Sequence, residues 1–188
     1  PALGAYEVRA SLASFEPQPP FEPFDRMLPA DAYWAAKRIA AVPEERIRRA
    51  LAAGRMTDAS SAARALFVLE VRRAKILEWA FAAVTPVEVE AVSASKLTLR
   101  DEAITLGVGA ERGAQYAIDY LDAGGALLAS TLHLAPKGAV FEVPLPSPGP
   151  SYLVVRARVT RGGIVAPRAC ELHVVRDRAG ARVIGVRH

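Results

Sequence analysis

The residues of this 188-residue chain that could do chemistry are few, and their spacing keeps most of them apart. Cys170 and His173 come nearest to a thiol–imidazole pair. They sit three residues apart in "RACELHVV", a strand pattern, so their side chains point to opposite faces. Cys170 shares the inward face with Leu172 and Val174, while His173 shares the outward face with Glu171. That placement reads as a buried structural thiol, not a nucleophile. His133 lies with Thr131 on the face opposite Leu128, Leu132 and Leu134, and His188 is the last residue, so no two histidines have metal-ligand spacing. The single cysteine excludes an internal disulfide and a cysteine-rich zinc site. Asp119 and Asp122 form the nearest acidic pair, but they flank a hairpin turn, where Asp is ordinary. No catalytic, cofactor-binding or metal-binding residue is therefore assigned.

Two further motifs touch on ligand chemistry. "GVGAERG", Gly107 to Gly113, imitates a dinucleotide loop after a strand, yet "AQYAIDYL" comes next where that loop requires a helix. The glycines then shape a turn. Arg46, Arg48, Arg49 and Arg55 gather around Gly54 ahead of a new helix, the layout of a helix-turn-helix nucleic-acid reader. Against this, the would-be recognition helix opens "ASSAARAL", with one arginine among small residues. Glu44 and Glu45 also stand four residues before Arg48 and Arg49, in the order that makes helical salt pairs.

Glu70 and Arg73 are different, because they fall inside an apolar arc. On a wheel of about 100° per residue, Ala63, Leu66, Phe67, Ala74, Leu77 and Phe81 share one broad face, with Leu69, Ile76 and Ala80 on its flank. Spaced three apart, Glu70 and Arg73 can meet as a partly buried ion pair. A polar site between a helical and a β module is the functional alternative. In "DAYWAAKRIA", Tyr33, Trp34 and Ile39 are read as core contributions of the first helix, with Lys37 and Arg38 at its wet edge.

The elements that carry these residues emerge from periodicity. Residues 1–23 hold one strand pattern, "AYEVRASL", and a Pro-rich strap, "FEPQPPFEPF", read as an extended linker. Residues 24–85 form a helical domain of three helices. The first is N-capped by Asp31; the second, "PEERIRRALAA", has Pro43 in its first turn and stops at Gly54; the third is capped by Thr57 or Asp58 and closed by Thr85-Pro86. From residue 86 to 188 the period changes to two: "VEVEAV", "KLTLR", "ITLGV", "QYAIDYL", "ALLASTLHL", "VFEVPL", "YLVVRARV", "RACELHVV" and "ARVIGVRH" alternate between turn signals. Helices first and strands after predict an α+β chain, a three-helix segment followed by an antiparallel β-sandwich of immunoglobulin or fibronectin type III kind.

Composition agrees with a globular protein, at 52% apolar and 23% charged residues. The formal charge of +4 is mild, and arginine dominates it over four lysines. No stretch is apolar for the roughly 18 residues of a membrane span, and "PALGAYEVRA" has neither the basic nor the apolar region of a signal peptide. A start at Pro1 suggests Met removal or a piece of a longer chain.

Tyr33-Trp34-Ala-Ala-Lys37, Arg72-Arg73-Ala-Lys75-Ile76 and Val183-Ile-Gly-Val186 together resemble the C-terminal region of large uncharacterised bacterial proteins. In these a Phe-Trp-Ala-Ala-Lys stretch precedes a double-arginine helix and a β-rich tail. The resemblance covers about residues 24 to 188 and departs at Ala74, where the pattern has an acidic residue, and after Trp79. It implies architecture and a preceding portion, with no activity to carry over. The expectation is a non-enzymatic structural or protein–protein interaction module of a larger bacterial protein. It would need no cofactor, and its partner would be another protein or the rest of its own polypeptide, in the cytoplasm or cell envelope. Nucleic-acid binding through Arg46, Arg48, Arg49 and Arg55 is the alternative, and an enzyme with a site between the modules the weaker one.

Overall fold

A computed structural model of the protein describes residues 22–54, 58–109, 113–129, 131–178 and 180–188. The strand pattern "AYEVRASL" and most of the Pro-rich strap lie outside these residues. The chain divides into two compact units, Pro1–Ala80 and Phe81–His188.

Among the described residues four helices, not three, precede the strands. The extra one is α1, Glu22–Asp25, a single turn within what reads as linker. Pro23 is tolerated there because a first-turn N–H has no intrahelical acceptor to lose. Helix α2 spans Pro29–Ala40 and begins two residues before Asp31. Pro29 supplies the preset first-turn φ, and Asp31, in the third helical position, accepts a hydrogen bond from the Leu28 N–H at 2.9 Å. Helix α3 (Glu44–Ala53) buries none of its residues. Helix α4 (Ala59–Ala82) is capped by Asp58, which accepts the Ser60 and Ser61 N–H groups at 3.2 and 2.8 Å. The two serine hydroxyls and those bonds hold the Asp58 carboxyl well below its usual range.

The interior of the helical unit is thin. Tyr33 is buried with Ala32 and Ala36 on one stripe of α2, and Val68 is buried on α4. Trp34, one residue and about 100° around the wheel from Tyr33, is 58% exposed, with the Arg38 guanidinium 5.4 Å from its ring centre. Phe67 and Leu69 are exposed as well. The expected core roles of Trp34, Phe67 and Leu69 are thus not realised. A wheel gives the width of an apolar arc but not which sectors neighbours cover.

The second unit has nine strands among its described residues, all paired antiparallel, in two sheets. One has the order β1 (Val87–Val92), β2 (Lys96–Asp101), β5 (Val140–Pro144). The other runs β4 (Leu132–Leu134), β3 (Gln115–Leu121), β6 (Tyr152–Arg161), β8 (Cys170–Asp177), β9 (Gly180–Arg187), with β7 (Ile164–Val165) on β6. Two of the expected strands shrink. "ITLGV" is instead a one-turn helix, α5 (Glu102–Thr105), and a turn, because Asp101 ends β2 and caps that helix. "ALLASTLHL" keeps only β4 and an isolated bridge from Leu127 to Leu121.

Alternation builds one core between the two sheets. Leu97 and Leu99 of β2 face inward opposite Val143 and Phe141 of β5. Tyr116, Ile118 and Tyr120 of β3 register with Val159, Ala157 and Val155 of β6, and Leu153, Val155 and Ala157 with Val174, Leu172 and Cys170 of β8. Tyr116 and Phe141, from different sheets, stack with ring centres 4.4 Å apart. At about 1.5–3 kcal/mol for each fully buried Leu, Val, Ile or Phe side chain, this cluster dominates the unit's stability. Where the chain enters, Thr85 is fully buried: its N–H and hydroxyl both donate to the Arg168 carbonyl, at 2.8 and 3.0 Å, and its hydroxyl oxygen accepts the Val159 N–H. Val84 and Val87 beside it are also fully buried.

Candidate functional site

The most concentrated chemistry lies where β2 ends. The inward register of Leu97 and Leu99 continues to Asp101, which is fully buried. A buried carboxylate must be satisfied by donors, and four converge on this one. Its Oδ1 accepts the N–H groups of Ala103 and Ile104 at 2.8 and 3.1 Å, capping α5. Its Oδ2 accepts the Tyr116 hydroxyl and the Arg161 Nη2 group, the latter at 2.6 Å. Asp101 belongs to the smaller sheet, Tyr116 and Arg161 to the larger, so the cluster bolts the two together.

This geometry holds charge in place. Burial, then the Asp101 charge, push the Tyr116 hydroxyl above its ordinary range, so it keeps its proton at neutral pH. Both Asp101 oxygens are occupied, each accepting two hydrogen bonds. Arg161 is 13% exposed and directs its charge to Asp101, and its Nη1 is buried with no hydrogen-bond partner. Beside it a cleft of about 410 Å³ is lined by Gly113, Gln115, Pro136, Thr160, Gly162 and Gly163 among others, with no charged side chain among the described residues.

No protein-family model matches this chain, and a search of curated proteins finds no match.

The residues singled out in the sequence scatter over both units. Arg73 lies 3.5 Å from Glu70, a long ion pair, and makes its closer bond, 2.8 Å, to the Ala40 carbonyl. Ala40 is the last residue of α2, so Arg73 ties α4 to the carbonyl-rich end of α2, where a cation is favoured. Arg48 and Arg49 pair with Glu44 and Glu45 along α3. Arg46 is exposed, and Arg55 lies outside the described residues.

Cys170 is fully buried, its thiol 3.8 Å from the Val87 carbonyl. His173, on the other face, hydrogen-bonds the Tyr152 hydroxyl through Nδ1 at 2.7 Å. His133 is exposed, and His188 places Nδ1 3.2 Å from the Thr85 carbonyl. The three histidines thus serve separate places, and no group of three metal-ligating side chains is found among the described residues. Asp119 accepts the Thr131 hydroxyl at 2.6 Å, and Asp122 closes its turn on the N–H groups of Gly124 and Ala126. No helix of the described residues is long and apolar enough to cross a membrane.

Sequence reasoning missed Asp101, Tyr116 and Arg161. A signal was available in "KLTLRD": counting by twos from Leu97 through Leu99 puts Asp101 on the inner face. A charge in that register demands partners.

Proposed function

We propose that this chain is a non-enzymatic protein–protein interaction module of a larger bacterial protein or assembly. The observation that carries the reading is the helical unit's surface: Leu28, Trp34 and Phe67 are 61%, 58% and 55% exposed, and Leu69 and Trp79 are exposed too. Large apolar side chains left in water favour contact with another surface, and tryptophan is among the residues most often found at the energetic centre of such contacts. The β unit has its polar cluster locked between its two sheets. Its strand order favours a fibronectin-type sandwich, with β1-β2-β5 facing β4-β3-β6-β8, the fourth strand joining the third, and β9 added outside.

The test is recovery of partners from bacterial lysate by the wild type and by the double variant Trp34→Ser, Phe67→Ser. The variant should keep its helical circular dichroism and lose the wild type's partners. Equal recovery by both would remove the helical surface from the proposal. The nucleic-acid reading through Arg46, Arg48, Arg49 and Arg55 is the lesser, because Glu44 and Glu45 already hold two of those arginines.

A further inference from the structure

Among the described residues, the buried side-chain polar atoms that lack a hydrogen-bond partner belong to two arginines, Arg176 in β8 and Arg161 in β6. Arg161, at the C-terminal end of β6, is neutralised by Asp101 and misses one bond. Arg176, whose N–H donates to the Ser151 carbonyl beside the N-terminal end of β6, has no carboxylate within ion-pair distance among the described residues. Its Nη1 donates to the Pro146 carbonyl at 2.6 Å. Its Nε and Nη2 are both buried and both unpartnered.

Those two atoms form one edge of the guanidinium. Their N–H bonds run parallel, the geometry that grips two oxygens of a carboxylate or phosphate at once. The 146–151 loop, Pro-Ser-Pro-Gly-Pro-Ser, meets the guanidinium at Nη1 and brings no anion, and the neighbouring Asp177 faces Arg182, 4.0 Å away. The loop is nevertheless fitted to the cation. A side chain at Gly149 would collide with Arg176 Nη1 and with the Pro146 carbonyl, so only glycine lets the loop close over the guanidinium. Three prolines stiffen that loop, which lowers the entropic cost of keeping the edge aligned. A guanidinium whose Nε and Nη2 are shut off from water and idle is costly, and an anion that fills the edge removes the cost.

The geometry points to an oxyanion site at Arg176: a small anion presenting two oxygens, phosphate or carboxylate in class, bound by Nε and Nη2 while the 146–151 loop holds Nη1. This is independent of the interaction surface on the helical unit. The experiment melts the full chain at pH 7 in sodium chloride and titrates sodium phosphate or sodium acetate at matched ionic strength. The melting temperature of the β unit should climb with the logarithm of anion concentration above Kd, by roughly 5 °C at tenfold excess over Kd. Arg176→Lys, which keeps the charge but loses the parallel edge, should abolish that rise. The anion that produces the larger rise decides between phosphate and carboxylate. No rise, or one equal in both proteins, overturns the site. Should the variant not fold, the wild type decides alone: its Arg176 Nε–H resonance must move with one anion and then stop, and a stationary resonance refutes the site.

Discussion

The two units use similar apolar residues to opposite ends. In the β unit, period-two alternation puts every second side chain of β2, β3, β5, β6 and β8 into one shared interior, and Asp101, trapped there, is bonded to Tyr116 and Arg161. In the helical unit, Tyr33 is buried while Trp34 beside it is exposed, and α3 buries nothing. A strand between two sheets has one inside, so its apolar residues have one destination. A helix offers a full circle of directions, and each needs its own neighbour. The half with the larger buried core is the one whose geometry leaves no choice.

Substitutions can break that contrast or sharpen it. The largest effect is expected at Asp101. Asp101→Ala strands the Arg161 charge in the interior and should destabilise the β unit by about 3–5 kcal/mol, read as a lower urea midpoint. The helical transition should stay where it was. The paired change Asp101→Leu with Arg161→Met removes both charges and should recover most of the loss. If it does not, the cluster does more than neutralise itself.

Next comes Arg73. Arg73→Ala frees the Ala40 carbonyl and leaves Glu70 without its 3.5 Å partner, for a cost of about 2 kcal/mol in the helical unit. Arg64→Ala, on an exposed position of the same helix, should change stability by less than about 0.5 kcal/mol. Equal effects would mean that the α2–α4 tie contributes nothing.

The smallest effect is set by pH. The Tyr116 hydroxyl is raised above its ordinary value of 10.0, so the folded β unit holds a proton that the unfolded chain releases. That stability is complete below pH 10 and declines as pH rises toward the folded value, by at most about 1.4 kcal/mol per pH unit. Tyr120, raised by burial, adds to the same slope. Chemical denaturation between pH 9 and 11 should show the loss in the β unit, and Tyr116→Phe should make it shallower.

How far the sequence foretold the structure varies along the chain. The strands were legible because Leu97/Leu99, Ile118/Tyr120 and Leu172/Val174 keep step with the pleat. The end of β2 was not, because the residue that stops it, Asp101, acts through donors in Tyr116 and Arg161 that are distant in sequence. Pro29 displaced Asp31 from the capping position by starting α2 early, a local effect that ranking polar caps first conceals. The opposite fates of Tyr33 and Trp34 depend on which neighbour stands on which side, and one helix's residues carry no record of that. The Arg176 guanidinium was equally silent, since the loop against it touches Nη1 through a backbone carbonyl and a missing side chain.

The buried threshold at Val84, Thr85 and Val87 has a practical corollary. Anyone excising the β unit for transplantation must cut upstream of residue 84. A fragment begun at the first strand would shed the hydroxyl that grips Arg168 and Val159. In this protein the doorway is masonry, and it travels with the house.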